Sequence, residues 1–194
     1  MRPTAYPARM QSPIRKTRRS FNDPGHAHFL TYSCYRRLPL LTRDRTRRWV
    51  IDAMLRVRET QDVAIWAYVI MPEHVHLLVW PRRPRYEMRR ILAALKRPVS
   101  VAAREHLETT ANQQWLQKLT VKYPDREVFR FWQPGGGYDS NIVRERTVQA
   151  VIDYIHRNPV RRGLVHHELD WEWSSARFWA GKTYVPIRMD PPIT

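Results

Sequence analysis

The chain has 194 residues, 43% of them hydrophobic, which is enough for one ordinary domain with its own core. Its 34 Lys and Arg against 18 Asp and Glu give a formal charge of +16, and because the basic residues run through the whole chain, the expected polyanionic partner is nucleic acid and not a membrane surface. No apolar run reaches the roughly 18 residues of a membrane span, and the single cysteine, Cys34, excludes an internal disulfide and a cysteine-ligated zinc and fits a reducing cytoplasm.

Residues 1–20 carry six Arg or Lys, three prolines and no acid, the composition of a basic, disordered arm. The arm lacks the apolar stretch of a secretory signal, and its prolines break the helix of a transit peptide. Residues 21–165 read as the folded domain and 166–194 as an aromatic tail that packs on the domain or on bound nucleic acid. The stretch 26–37, HAHFLTYSCYRR, is a predicted strand. Thr42 is then placed to cap a helix whose buried stripe is Val50, Ala53, Met54 and Val57. DVAIWAYVIMPEHVHLLVWP divides at Pro72 into two antiparallel strands. A second helix shows its stripe at Met88, Ile91, Leu92 and Leu95, with Pro98 expected to end or kink it and Arg89, Arg90, Lys96 and Arg97 on its outer face.

Residues 108–127 read as an irregular connection, VFRFWQ as a fourth strand and PGGGYDS as the breaker after it. TVQAVIDYIHRNP carries a last helical stripe, Val148, Val151, Ile152 and Ile155, expected to stop near Asn158 because Pro159 follows. The order β-α-β-β-α-β-α predicts an α+β fold, a ferredoxin-like split β-α-β antiparallel sheet with helices on one face.

Period-two alternation over 74–80 puts His74 and His76 on one face with Leu78 and Trp80, and Val75, Leu77 and Val79 on the other. Two imidazoles side by side on a rigid strand can supply two ligands to a divalent metal and leave positions open for substrate oxygens. A lone H-x-H also occurs as ordinary surface or core residues. A second one, His26 and His28, makes a four-histidine site conceivable, although that would fill the position a catalytic zinc keeps for water.

On a helix Tyr154 and Asn158 are four apart and share a face, with Arg157, Arg161 and Arg162 around them. A free tyrosine has a pKa of about 10, so phenolate at pH 7 costs about 4 kcal/mol, which metal and arginine charge reduce. A phenolate attack on phosphorus would leave a 5′-phosphotyrosine and a free 3′-OH, and would keep the bond energy for rejoining. By pattern alone the favoured reading of Tyr154 is a packing residue at the rim of a core stripe. No phosphate loop appears, since Ala176 stands where AGKT would need its first glycine.

AYVIMPEHVHLLVWP, YIHRNPVRRGLV, FWQPGGGYDSNIVRE and WEWSSAR together resemble, in order, the REP-associated tyrosine transposases, a branch of the IS200-like single-tyrosine HUH transposases. The resemblance implies a catalytic domain over 21–165, a metal, Mg²⁺ or Mn²⁺, held by His74, His76 and Asn158, and Tyr154 as nucleophile. It also implies single-stranded DNA substrates and palindromic hairpin repeats as partners. A basic domain with eight tryptophans and nine tyrosines can hold phosphates and stack unpaired bases, and Trp132, Tyr138, Trp171, Trp173 and Trp179 lie near chain breaks where stacking is possible. A catalytically weak hairpin-binding regulator and a metal hydrolase with attacking water are the rival readings. Monomer and homodimer are both compatible with the sequence.

Overall fold

The computed structural model describes residues 22–190, so the basic arm expected over 1–20 lies outside the described residues. The elements in chain order are β1 (Ala27–Ser33), α1 (Asp44–Thr60), β2 (Val63–Ile70), β3 (His74–Pro81), α2 (Met88–Thr109), α3 (Gln113–Leu119), β4 (Thr120–Lys122), β5 (Glu127–Phe129), β6 (Tyr138–Ile142), α4 (Glu145–Arg161) and α5 (Ala176–Trp179). Strands β2, β3, β1 and β6 form one sheet in that order, antiparallel throughout. This is the ferredoxin-like arrangement, in which β3 inserts between β1 and β2 and the chain crosses over through α1.

The period-two pattern divides the sheet's two faces between two cores. Val75, Leu77 and Val79 of β3 face the stripes of α1 (Val50, Ala53, Met54, Val57) and α2 (Met88, Ile91, Leu92, Leu95). Leu78 and Trp80 face the opposite way, toward Val148, Ile152 and Ile155 of α4. The two ferredoxin-like helices thus share one face, and α4 covers part of the other. Each large aliphatic side chain fully buried in these layers is worth roughly 1.5–3 kcal/mol.

Four local expectations are corrected. The fourth sheet strand is Tyr138–Ile142 and not VFRFWQ, whose first residues pair instead with β4 as a separate two-stranded ribbon. Its last residues run beside the end of β1, where Tyr35 N–H meets the Phe131 carbonyl and Gln133 N–H the Ser33 carbonyl, both at 2.8 Å. The glycines before β6 are its approach to the sheet. Gly137, at φ +77°, lies so close to β1 that a Cβ would stand 2.2 Å from the Thr31 carbonyl oxygen.

Residues 108–127 are more regular than expected, holding α3 and β4. Arg43 and not Thr42 is the cap residue of α1, because the Thr42 hydroxyl donates to the Pro39 carbonyl. Neither proline ends its helix. Helix α2 continues through Pro98 to Thr109, its apolar stripe buried on both sides of the missing N–H, at Leu95 and at Val99 and Ala103. Helix α4 continues past Pro159 to Arg161, and Gly163 beyond it, at a φ of +65°, closes the end with its N–H on the Val160 carbonyl.

The aromatic tail packs on the outer edge of β2. Ile70 N–H donates to Trp173, Ser175 N–H to Tyr68, and Asp190 N–H to Ile65. Buried Ser175 also accepts the Tyr68 N–H at 2.9 Å and contacts His156 Nε2 of α4 at 2.8 Å. With both faces and its edge covered, β2 is buried at all eight positions, which accounts for the continuous apolar run VAIWAYVI. Among the described residues no helix is long and apolar enough to cross a membrane.

Candidate active site

Hydrogen-bond register sets the site. Thr31 of β1 pairs with His76 of β3 on one side and with Tyr138 of β6 on the other, so the three side chains stand in one rung on the α4 face of the sheet. His74 stands one step along β3 on the same face, at the start of the strand after the Pro72 turn. From α4, Tyr154 and Asn158 reach over this corner, one helical turn apart. A cavity of about 310 Å³ is lined by Thr31, Ser33, Arg37, His74, His76, Tyr154, Asn158, Arg161 and Arg162.

The two imidazoles meet edge to edge, with Nε2 atoms 3.0 Å apart, and the Asn158 amide reaches His76 Nε2 at 3.1 Å. The outer nitrogens are also engaged. His74 Nδ1 lies 3.1 Å from Glu73 Oε1, and His76 Nδ1 lies 2.8 Å from Thr31 Oγ1. An ionised carboxylate only accepts, so Glu73 fixes the Nδ1–H tautomer of His74 and aims its Nε2 lone pair inward. The Thr31 hydroxyl can donate or accept, so His76 can take either tautomer. Burial lowers the pKa of both, that of His76 to about 3 with the neighbouring His74 adding to the effect, so both rings are neutral near pH 7.

These residues fit a divalent ion. Two Nε2 atoms 3.0 Å apart have the separation of neighbouring ligands about 2.1 Å from one ion at a right angle. A half-turn of the Asn158 amide brings Oδ1 to the same point. Among the described residues, no group of three or more His, Cys, Asp or Glu side chains could hold a metal. The side-chain amide beside the histidine pair is that of Asn158.

Tyr154 is 38% exposed and lies beside His76, ring centroids 5.4 Å apart, with the Arg161 guanidinium 5.1 Å above its ring. Arg162 donates to Glu73 at 2.8 Å. Arg37 reaches the cavity from a turn in which Arg36 and Arg37 both take left-handed backbone, at φ 52° and 54°, an arrangement that costs about 1–2 kcal/mol per residue. Arg157 is exposed on α4 and does not line the cavity.

Periodicity alone did not bring forward Thr31, Ser33, Arg37 and Glu73. Glu73 had a signal in its place directly before His74, as did Arg37 at the end of a strand. Thr31 is placed only by strand register. The second histidine pair is on the other side of the sheet. His28 is fully buried, 2.8 Å from Asp139 and 2.7 Å from the Tyr86 hydroxyl, so a four-histidine site does not form.

The remaining expected DNA contacts divide between an open groove and the core. The groove, about 1080 Å³, runs between α2 and residues 129–139 and is lined by Arg89, Lys96, Arg97 and Arg130. Arg90 is exposed beside it and pairs with Glu87. Lys96 donates to the Gln133 and Gly135 carbonyls, so its ammonium holds the glycine loop as well as lining the groove. Trp132 is a core residue and not a stacking platform. It is 4% exposed, packs on Tyr32 and donates its indole N–H to the Lys96 carbonyl, because its backbone bridges to Cys34 beside β1 and turns the ring inward. Trp171, Trp173 and Trp179 dock the tail. Trp171 and Trp179 donate to the Ile70 and Trp66 carbonyls, and Arg47 lies over the rings of Trp171 and Trp173. Tyr138 remains 47% exposed.

A family model described as "Transposase IS200 like" matches residues 24–158, which span the sheet and helix α4 up to Asn158. No curated protein sequence matches. A solved structure of a REP-associated tyrosine transposase bound to a REP hairpin is similar to the chain at 21% identity and TM-score 0.67, covering 93% of this chain and 95% of that one. A transposase candidate from Deinococcus radiodurans is similar at 18% identity and TM-score 0.44, covering 73% and 95%.

Proposed function

The chain belongs to the IS200-like transposase family, and on that premise we propose that it nicks and rejoins single-stranded DNA beside hairpin repeats through a 5′-phosphotyrosine link to Tyr154. The observation that carries this reading is the meeting of His74 Nε2, His76 Nε2 and the Asn158 amide within 3.1 Å, in the cavity that Tyr154 shares with three arginines.

Arg37, Arg161 and Arg162 would draw a phosphodiester into the cavity and balance its charge. The Arg161 guanidinium, 5.1 Å over the Tyr154 ring, puts one of these positive charges beside the attacking residue. In the step itself the Tyr154 phenol loses its proton, its oxygen bonds to phosphorus, and the bond from phosphorus to the 3′-oxygen breaks. The departing oxygen takes a proton and leaves as a free 3′-OH. Rejoining is the reverse, with a 3′-OH attacking the phosphotyrosine and Tyr154 leaving, so no ATP is required. His74, His76 and Asn158 would hold Mg²⁺ or Mn²⁺, which would supply Lewis-acid polarisation, and two imidazoles suit Mn²⁺ better than the harder Mg²⁺.

The hairpin seen with the structural relative supports a hairpin as partner here. The groove along α2, with Arg89, Arg97 and Arg130, is where its backbone phosphates would lie, with Arg90 and Arg157 as outlying contacts.

The test is a denaturing gel of the full chain with end-labelled hairpins taken from repeats flanking its gene, with and without Mn²⁺. A labelled, protein-sized band that needs the metal and is lost in Tyr154→Phe is expected. Cleavage without an adduct would favour a metal hydrolase, and binding with neither would leave a hairpin-binding regulator.

A further inference from the structure

We infer that Phe29 and Tyr138 form an aromatic shelf beside the nucleophile, on which an unpaired base next to the attacked phosphate stacks. This rests on the nicking reading above and names a part of the substrate that reading leaves open. Tyr138 extends the catalytic rung outward, since its partner Thr31 is in turn the partner of His76. Phe29, two residues from Thr31 on the same face, joins the pieces. Its ring lies 5.8 Å from Tyr138, 5.8 Å from Tyr154 and 5.5 Å from His76, stacked on the last and edge-on to the other two.

The rings form a continuous aromatic surface that begins at the nucleophile and ends on the edge strand of the sheet. Edge strands more often carry charge or proline, and the outer ring of this one is nearly half exposed. An exposed ring beside a phosphate site has the chemistry to take a nucleobase, and it accepts any base because every base has a π-face. A paired base inside a duplex offers no such face, so the shelf selects strands that are unpaired at the nick.

The position of Tyr138 also links the two basic surfaces. Gln133 to Gly137 and Asp139 line the groove along α2, while Tyr138, between them, pairs with Thr31 and so faces the catalytic side. A strand leaving the groove passes around β6 and meets the shelf before it meets Tyr154.

The experiment uses the full chain and hairpin oligonucleotides from the flanking repeats, with 2-aminopurine placed at each unpaired flanking position in turn. Binding is expected to quench fluorescence at one or two neighbouring positions. The quench should persist in Tyr154→Phe and Tyr138→Phe and vanish in Tyr138→Ala and in Tyr138→Leu, which keeps the apolar contact with Phe29 but has no ring. Affinity for the unpaired flank should fall about 5- to 150-fold in the last two. Absence of quenching at every position, or equal quenching in Tyr138→Leu, overturns the shelf. A position-specific quench that depends on Tyr138, in a wild-type protein that forms no adduct, supports the shelf and overturns the nucleophile reading instead.

Discussion

Replacing Glu73 by Gln keeps the size of the side chain and one oxygen in place but removes its charge. In the folded protein that oxygen accepts from His74 Nδ1 at 3.1 Å and from Arg162 at 2.8 Å, with the side chain only 13% exposed. Burial pushes its carboxyl pKa up, yet the hydrogen bonds and charges of Arg162 and His74 outweigh that and hold it below the usual value, so Glu73 is ionised at neutral pH. Loss of the carboxylate behind a metal-binding imidazole typically lowers metal affinity about 10- to 100-fold, or about 1.4–2.8 kcal/mol. The assay is calorimetric titration of Mn²⁺ into Tyr154→Phe with and without Glu73→Gln, so that no turnover interferes. In the adduct gel, with Tyr154 present, the Mn²⁺ midpoint should move by the same factor and the yield at saturating metal should recover. An unchanged Mn²⁺ affinity, or a lost yield with an unchanged midpoint, would refute the assignment of Glu73 as the group that orients His74.

Gly137→Ala should destabilise the fold, since its Cβ would stand 2.2 Å from the Thr31 carbonyl oxygen at φ +77°. The expected cost is at least about 2 kcal/mol, a fall of about 4–8 °C in thermal melting; an unchanged melting temperature would contradict the packing of β6 on β1. Ser175→Ala leaves the buried Tyr68 N–H without its side-chain acceptor, so a loss of about 1–3 kcal/mol is expected in denaturant unfolding. No loss would mean that the tail is not docked on β2. Hairpin affinity should fall about 10³- to 10⁵-fold between 50 and 200 mM salt if roughly 6–10 phosphates are neutralised, and a flat titration would remove the electrostatic argument for the groove.

The parts of the site legible in the sequence are those set by local periodicity. Alternation along β3 assigns His74 and His76 to one face without knowledge of what lies opposite, because successive side chains on a strand must point to opposite sides. The one-turn spacing of Tyr154 and Asn158 likewise follows from helix geometry, and both side chains line one cavity. Proline and glycine were poorer guides. A proline removes one N–H, at a cost of about 3 kcal/mol within a helix, and the buried stripe of α2 on both sides of Pro98 outweighs it. PGGGY resembles a chain break, yet its glycines are the means by which β6 approaches β1 closely enough to pair.

What periodicity could not supply was the relation between residues distant along the chain, which the sequence offered only through its resemblance to a family. Thr31 and His76 are 45 positions apart, and Asn158 and His76 are 82 apart. The first pair is joined by strand register, the second by the packing of α4 on the sheet. Trp132 shows the same limit from the other direction, because its place near a chain break marked it as a stacking candidate while a backbone bridge to Cys34 turned it into the core. The sequence by itself determined which residue types were present and which face of its own element each occupied. Only the tertiary structure decided which faces met, because burial of the two apolar faces of one sheet is a property of the whole chain and not of any segment of it.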